Sequence, residues 1–421
     1  MDKTTGKTHL KIGIIDADLI DGGTRHPNLA LMKISGYCKG LEHEARLLFE
    51  ESDLQHLDNF DVIVISKVFS FTKDHPAVEN VIGTTVETTE KFNRCVYSEI
   101  RSASGTKGGE KRPMVLIGGT GYFEDGGLNL HRVIEHHAPD YSLYTDYIDA
   151  QVASGKKRSY YTDYEDYSIG FTTRGCFRKC EFCVNKKFNR AELHSPIEEF
   201  LDKDRKKIYL WDDNFFALFD GWETILKQLQ KTGKPFQFRQ GLDIRLMEDR
   251  HMELLSQSKY NGDFIFAFDF IKDEELIEKK LEMWRKYTKR GTKLYVLCGF
   301  EPKRQWDGVS DIELLYQEDI RDTFRRIRIL MRYGCLPYIM RHENYRGSRY
   351  ENMYVQLARW CNQPQFFKKM SFREFCEANQ KYHANENTLC KTYETMLTFE
   401  KDRKDIADEF FDLKFENERS W

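Results

Sequence analysis

The chain has 421 residues, 40% hydrophobic and 32% charged, with a formal net charge of −3. This is the composition of a folded globular chain long enough for two or three cores, and it excludes a global electrostatic pull toward nucleic acid or membrane. The N-terminal MDKTTGKTHLKIGIIDAD has no apolar signal core and no run reaches membrane-spanning length, so a cytoplasmic location with no membrane partner is expected.

Residues 11–18, KIGIIDAD, predict a buried parallel strand ending in acids. A helix is predicted in LALMKISGYCKGLEHE, followed by strands in ARLLFE, DVIVISKVFS (61–70) and MVLIGG (114–119). Strands alternating with helix predict an α/β domain with an open, mostly parallel sheet over residues 1–134. The polar, Gly-rich run 102–112 predicts a mobile surface loop, and the tyrosine-rich segment 135–165 an irregular linker.

A second alternation over residues 166–344 has strand candidates in IGFTTRG, KIYLWDDN (207–214), PFQFRQGLD (235–243), DFIFAFDF (263–270), KLYVLCGF (293–300) and CLPYIMRH (335–342). Helices are predicted near 196–204, 220–232, 246–258, 273–290 and 311–333. The first carries Ser195 as cap, Pro196 at the first helical position and Glu198 at the third. Six strands and five helices predict a six-stranded partial α/β barrel, whose chemistry gathers at the C-terminal strand ends. There lie Cys176, Asp212, Asp213, Asn214, Asp243, Asp269, Arg341 and His342. Residues 345–421 predict a small helical cap with an acidic tail.

Ten cysteines in a chain read as cytosolic predict few disulfides. Cys176, Cys180 and Cys183 form C-x3-C-x2-C in FTTRGCFRKCEFCVN, and such a tight cluster points to metal or catalysis. Three thiolates can hold three irons of a four-iron cluster and leave the fourth iron open. The competing reading is structural zinc, which wants four protein ligands; His194 is the nearest candidate for the fourth. The other seven cysteines read as buried small hydrophobes.

The cysteine segment, with aromatic Phe182 before the last cysteine and a position after the first strand of a barrel, resembles the radical S-adenosylmethionine (SAM) superfamily over roughly residues 165–345. The resemblance implies a 4Fe–4S cluster on Cys176, Cys180 and Cys183, SAM on the open iron, and reductive cleavage to a 5′-deoxyadenosyl radical that abstracts hydrogen from a substrate. It implies an external one-electron reductant of flavodoxin or ferredoxin type. Asp212, Asp213 or Asn214 would accept from the SAM amino group, with Asp213 first, against a helix-capping reading of the same residues. Arg239 or Gln240 would reach the SAM carboxylate or ribose; strand alternation lets only one of them face the barrel interior. Phe182 and VLCGF (296–300) would wall the adenine, unless the latter is plain core strand.

The first domain resembles the Rossmann-like, cobalamin-binding-type domain of B12-dependent radical SAM enzymes, on RHPNLALMKISGYCKGLEHEARLLF and IGGTGYF. The motif D-x-H-x-x-G is absent, and a domain without cofactor is preferred to one holding cobalamin. A cobalamin-dependent radical SAM methyltransferase remains the alternative. Only Cys38 and Cys95 precede the barrel, which counts against the three-cysteine second cluster of methylthiotransferases. Cys361, Cys376 and Cys390 are too scattered for an auxiliary cluster. The alternative of another class is a zinc- or cluster-stabilised nucleic-acid-binding protein.

Residues 321–349 hold eight arginines, no lysine and two acids. Arg325, Arg328 and Arg332 share a helical face and read as solvated. Arg341, Arg346 and Arg349 follow a strand end, interleaved with Tyr345, Tyr350 and Tyr354. They point to an anionic or nucleotide-like substrate and also permit nucleic acid.

Overall fold

The computed structural model describes residues 9–418 apart from 25, 85, 88–112, 124–128, 186, 301, 303–310 and 385–386. The predicted loop 102–112 and Cys95 lie outside the described residues. The chain divides into two compact units: Met1–Thr172 with Cys183–Phe188 and His194–Tyr209, and Thr173–Phe182 with Asn189–Leu193 and Leu210–Trp421.

In the first unit five strands make one sheet: β1 (Lys11–Asp16), β2 (Glu44–Leu47), β3 (Val62–Ser66), β4 (Val86–Glu87) and β5 (Met114–Gly118). The order is β2-β1-β3-β5-β4 and every pairing is parallel. Both faces are apolar, as a parallel sheet between layers requires. Ile12, Ile14, Val64 and Leu116 pack on one side with Leu31, Met32 and Ile34 of the helix Leu29–Gly40; Ile15, Ile63, Ile65, Val115 and Ile117 pack on the other with Leu54, Leu57 and Phe60. The two-residue β4 was absent from the strand prediction, since Val-Glu offers no periodicity to detect.

The tyrosine-rich segment is not an irregular strap. It contains the helix Thr145–Ala153, and Leu143, Tyr144, Tyr147, Tyr161 and Tyr164 join the apolar cluster on the β1 side. The phenol ends find partners inside: Tyr144 donates to Asp16 at 2.7 Å and Tyr164 to the Thr24 carbonyl at 2.8 Å. A tyrosine with a partner buries like any large aromatic, and polarity in the sequence concealed this.

β6 (Tyr167–Gly170) belongs to the same unit and lies beside the next long strand of the chain. Gly170 meets the ring of Phe200: a Cβ there would stand 2.2–2.7 Å from three ring atoms. Gly170→Ala is expected to cost about 1–3 kcal/mol through overpacking, measured as a lower urea midpoint; an unchanged midpoint would show that Phe200 can move aside.

The predicted helix 196–204 is a single 3-10 turn, Ile197–Glu199. The Ser195 hydroxyl is 2.9 Å from His194 Nδ1 and does not cap, while Pro196 adopts φ −58°, ψ 149° outside the helix. The capping residues are present, but the serine is recruited by its histidine neighbour.

In the second unit a short antiparallel ladder, β7 (Thr173–Arg174) with β8 (Glu192–Leu193), brackets the cysteine segment. Four further strands follow the division between units at the end of β9 (Lys207–Leu210): β10 (Phe236–Phe238), β11 (Phe264–Ala267), β12 (Thr292–Cys298) and β13 (Leu336–Arg341). β11-β12-β13 is a parallel sheet, and parallel bridges Phe236↔Tyr260 and Leu242↔Phe266 connect the β10 region to β11. The strands alternate with the predicted helices, observed as Trp222–Lys231, Asp249–Gln257, Glu274–Tyr287 and Ile312–Arg332. Trp284 packs edge-on against Phe264 and Phe266, so one face of the sheet is covered by helix. Helices from Glu351 to Glu418 complete this unit, and Asn362 closes the free edge of β13 by bonding both backbone groups of Ile339. Among the described residues no helix is long and apolar enough to cross a membrane.

Candidate active site at the cysteine segment

The root of the cysteine segment is held by the residues that end β9. Asp212 is 1% exposed; its Oδ1 accepts from the amide of Thr173 at 2.6 Å and from its hydroxyl at 2.7 Å. The Asp213 carboxylate accepts from the amide of Gly175 at 2.6 Å, with Arg174 at 3.5 Å. Asn214 donates through Nδ2 to Cys176 Sγ at 3.4 Å. Three consecutive residues thus bind positions 173, 175 and 176 in turn. Gly175 sits at φ +94°, a conformation that glycine enters without strain, and this turns the chain outward into Cys176.

Asp212 and Asp213 each use one carboxylate oxygen on backbone or hydroxyl groups at the segment's root. Neither they nor Asn214 cap the 3-10 turn Phe215–Ala217: Asn214 stands at its N-cap position without a side-chain cap bond. Asn214 Oδ1, beside Cys176, is buried and has no hydrogen-bond partner among the described residues.

Beyond Cys176 the segment is tied down by charge. Arg178 Nε binds Asp243 Oδ2, and its guanidinium lies over the Phe177 ring at 5.1 Å. Arg245 grips the same carboxylate through Nε at 2.7 Å and reaches Asp273 through Nη1 at 2.6 Å. Burial alone would raise the pKa of Asp243; the hydrogen bond and charge of Arg245, then those of Arg178, overcome it and hold the carboxyl below its usual value. Phe182 is half-buried between Phe270 at 5.7 Å and Phe300 at 5.8 Å. Val296, Leu297 and Cys298 are buried core strand, and Phe300 of VLCGF meets Phe182.

Cys176, Cys180 and Cys183 are partly buried. Amide N–H groups point at two of the sulfurs: Arg178 to Cys176 at 3.3 Å and Asn185 to Cys183 at 3.4 Å. Among the described residues no three Cys, His, Asp or Glu side chains stand as a ready metal-binding group. His194 Nδ1 meets Ser195 Oγ at 2.9 Å and Nε2 meets Glu135 at 3.4 Å.

Arg239 and Gln240 do not alternate on a strand, since β10 stops at Phe238 and both lie in a turn. Arg239 is half-buried and donates to Gln237 Oε1 at 3.1 Å, while Gln240 is exposed. The arginines at and beyond the end of β13 separate. Arg341 donates to the Tyr345 hydroxyl at 3.2 Å, and Arg349 pairs with Asp402 at 2.9 Å. Arg346 is exposed, with no side-chain partner among the described residues. Tyr345, Tyr350 and Tyr354 are buried, so no exposed tyrosine alternates with these arginines as a base-stacking surface would need. Arg325, Arg328 and Arg332 pair with Glu274, Glu409 and Glu278 along the helix surface.

Two groups escaped the sequence reading as site residues. Asp269, just past β11, is partly buried, and among the described residues no donor binds its carboxylate. Arg326 is 2% exposed and reaches the ends of two strands. Arg326 could have been noticed: Thr323, Ile327 and Leu330 surround it at helical spacing, and a cation on an apolar stripe is anomalous.

No protein-family model matches the chain, and no curated protein sequence does. Among solved structures, the radical S-adenosylmethionine methyltransferase TsrM from Kitasatospora setae, with cobalamin and a 4Fe–4S cluster bound, aligns with a TM-score of 0.46 and 10% identity over 79% of this chain and 75% of that one. The cobalamin-dependent S-adenosylmethionine radical enzyme OxsB, with aqua-cobalamin and S-adenosylmethionine bound, aligns with a TM-score of 0.33 and 14% identity over 79% of this chain and 49% of that one. At these scores and identities the likeness carries nothing about function.

Proposed function

We propose that the chain is a cytoplasmic radical SAM enzyme with a Rossmann-like first domain, a partial barrel and a helical cap, acting on a small substrate. The single observation that carries this is the cysteine segment itself: three partly buried thiols in C-x3-C-x2-C, rooted residue by residue on the end of β9.

The residues fit the group. Three soft sulfur donors suit iron, and amide N–H···S bonds at Cys176 and Cys183 are of the kind that set cluster potential. When bound, the 4Fe–4S cluster would supply one electron to the sulfonium of SAM on its open iron, giving a 5′-deoxyadenosyl radical for hydrogen abstraction. The chain's own part is to bind, orient and exclude water. Cys176, Cys180 and Cys183 would hold the irons. Asn214 Oδ1 is the acceptor best placed for an amino group near Cys176. Phe182, Phe270 and Phe300 would wall an aromatic base. Arg239 keeps a cation at the end of β10 for a carboxylate.

Anaerobic reconstitution tests this. A brown protein with about four irons and reductant-dependent 5′-deoxyadenosine supports it; a colourless zinc protein that never cleaves SAM overturns it.

A cobalamin-dependent methyltransferase is the second reading, favoured by one feature of the first unit. Phe69 and Phe71 stack at 5.2 Å and are 46% and 76% exposed just beyond the C-terminal end of β3. The backbone beneath them is tied down, since Asp18 accepts from the amides of Val68 at 2.7 Å and Phe69 at 3.3 Å. An open α/β sheet binds ligands at that edge, and an exposed aromatic pair suits a flat one. Spectroscopic titration with hydroxocobalamin decides it: no uptake by wild type, or equal uptake by a Phe69→Ala/Phe71→Ala variant, removes this reading.

A further inference from the structure

The three residues that end β9 do not act alike. Asp212 and Asp213 bind backbone groups at the root of the cysteine segment, whereas Asn214 binds a sulfur: Nδ2 donates to Cys176 Sγ at 3.4 Å. Among the described residues this is the only hydrogen bond of the Asn214 side chain. It does not cap the turn that follows it, and Oδ1 has no partner. The side chain is 6% exposed and precedes the fully buried Phe215 and Phe216. Burying a carboxamide with one polar atom unpaired costs free energy, and a leucine would extend the apolar run without that cost. What the amide does and leucine could not is place an N–H on the sulfur.

Cys176 Sγ also accepts from the amide of Arg178 at 3.3 Å, as Cys183 Sγ does from the amide of Asn185 at 3.4 Å. Those two bonds are local. Each amide lies two residues beyond its cysteine, and the turn supplies it whatever the side chain. The Asn214 donor comes from 38 residues away and depends on the identity of the residue. The two arginines that flank Cys176 are each offset by a carboxylate: Arg174 lies 3.5 Å from Asp213, and Arg178 pairs with Asp243. The groups that bond the sulfur are therefore neutral N–H dipoles, one from the backbone and one from Asn214.

We propose that Asn214 acts through Cys176 to raise the reduction potential of the cluster that the cysteine segment would hold. This rests on the radical SAM reading, and within it concerns the electron rather than the ligand. One electron from an external donor of flavodoxin or ferredoxin type adds one negative charge to the iron–sulfur unit, and no bond is made or broken. An N–H aimed at Cys176 Sγ stabilises the more negative state more than the less negative one. It therefore raises the potential and widens the range of donors able to deliver the electron. A carboxamide does not titrate, so this contribution is the same at every pH at which the protein is folded.

The test is a potentiometric titration of the anaerobically reconstituted full-length protein, without SAM and with dithionite as reductant. The electron paramagnetic resonance signal of the reduced cluster is followed, and iron and sulfide are measured in parallel. Asn214→Leu should keep about four irons and be about tenfold harder to reduce, which for a one-electron couple is a midpoint about 59 mV lower. Asn214→Asp, nearly isosteric, serves if the leucine variant does not fold; a carboxylate beside the sulfur should lower the midpoint at least as far. A merely structural asparagine would act with the opposite sign, because a loosened segment admits water, which favours the more negative state and raises the midpoint. A midpoint that is unmoved or raised in a variant that holds its cluster overturns the proposal. Loss of the cluster from both variants overturns it too, since Asn214 would then be a support. Wild type that holds no cluster and cleaves no SAM overturns the underlying reading instead.

Discussion

Cys180→Ala protein is expected to emerge from anaerobic reconstitution without a four-iron cluster, and its reductant-dependent 5′-deoxyadenosine formation should fall at least about a hundredfold, since even outer-shell changes at metal sites cost about 10–100-fold. Removing one of three thiols leaves two, and a four-iron cluster held by two protein sulfurs has two open irons. The nearest histidine in sequence, His194, has its nitrogens facing Ser195 and Glu135. The control is Cys335→Ala. Burial pushes the Cys335 thiol up to about 11, against the influence of Arg285, whose Nη2 lies 3.1 Å from the sulfur. A thiol kept protonated is a poor metal ligand, so Cys335→Ala should lose stability and no iron. Iron and sulfide analysis reads both variants. Retention of about four irons by Cys180→Ala would overturn the ligand assignment.

What could be read from sequence followed the range of the interactions involved. The apolar runs of β1, β3, β5, β11 and β12 announce themselves, because a parallel strand covered on both faces must be nearly continuous in Val, Ile, Leu and Phe. Strand ends were less visible. PFQFRQGLD looked like one strand to residue 243, yet β10 stops at Phe238, and the Leu242 amide bonds Ile265, a partner that no local pattern reveals. The ladder of β7 with β8 is too short to leave a periodicity.

The site divides in the same way. Cysteine spacing is local and was legible. The partners of Asp212 and Asp213 depend on which backbone groups fold back onto them, here those of Thr173 and Gly175. Arg178 and Asp243 are 65 residues apart, and nothing at either position names the other. Asp269 stood out only as one of several polar residues at strand ends; its lack of a donor is a property of the folded chain.

The pair formed by Arg178 and Asp243 makes the last prediction. Asp243 is 7% exposed and carries two arginines, so exchanging its carboxylate for an amide leaves Arg178 and Arg245 partly buried without their shared counter-charge. Breaking one side of a buried ion pair costs about 3–5 kcal/mol, and Asp243→Asn should lose stability of that order at pH 7 in urea unfolding. The pH dependence identifies the cause. The folded-state pKa of Asp243 is held below its ordinary value of 3.8, so its contribution is complete above that value and is lost as pH falls through the lowered one. The gap between wild type and Asp243→Asn should therefore be constant from pH 8 to 5 and close only below about pH 4. Asp273 still binds Arg245 in the variant, so the loosened group is Arg178, between the first two cysteines. Cluster uptake should slow with Asp243→Asn even where the protein remains folded. A variant as stable as wild type at pH 7, or a gap that persists unchanged at pH 3, would show that the carboxylate's charge does not hold the segment.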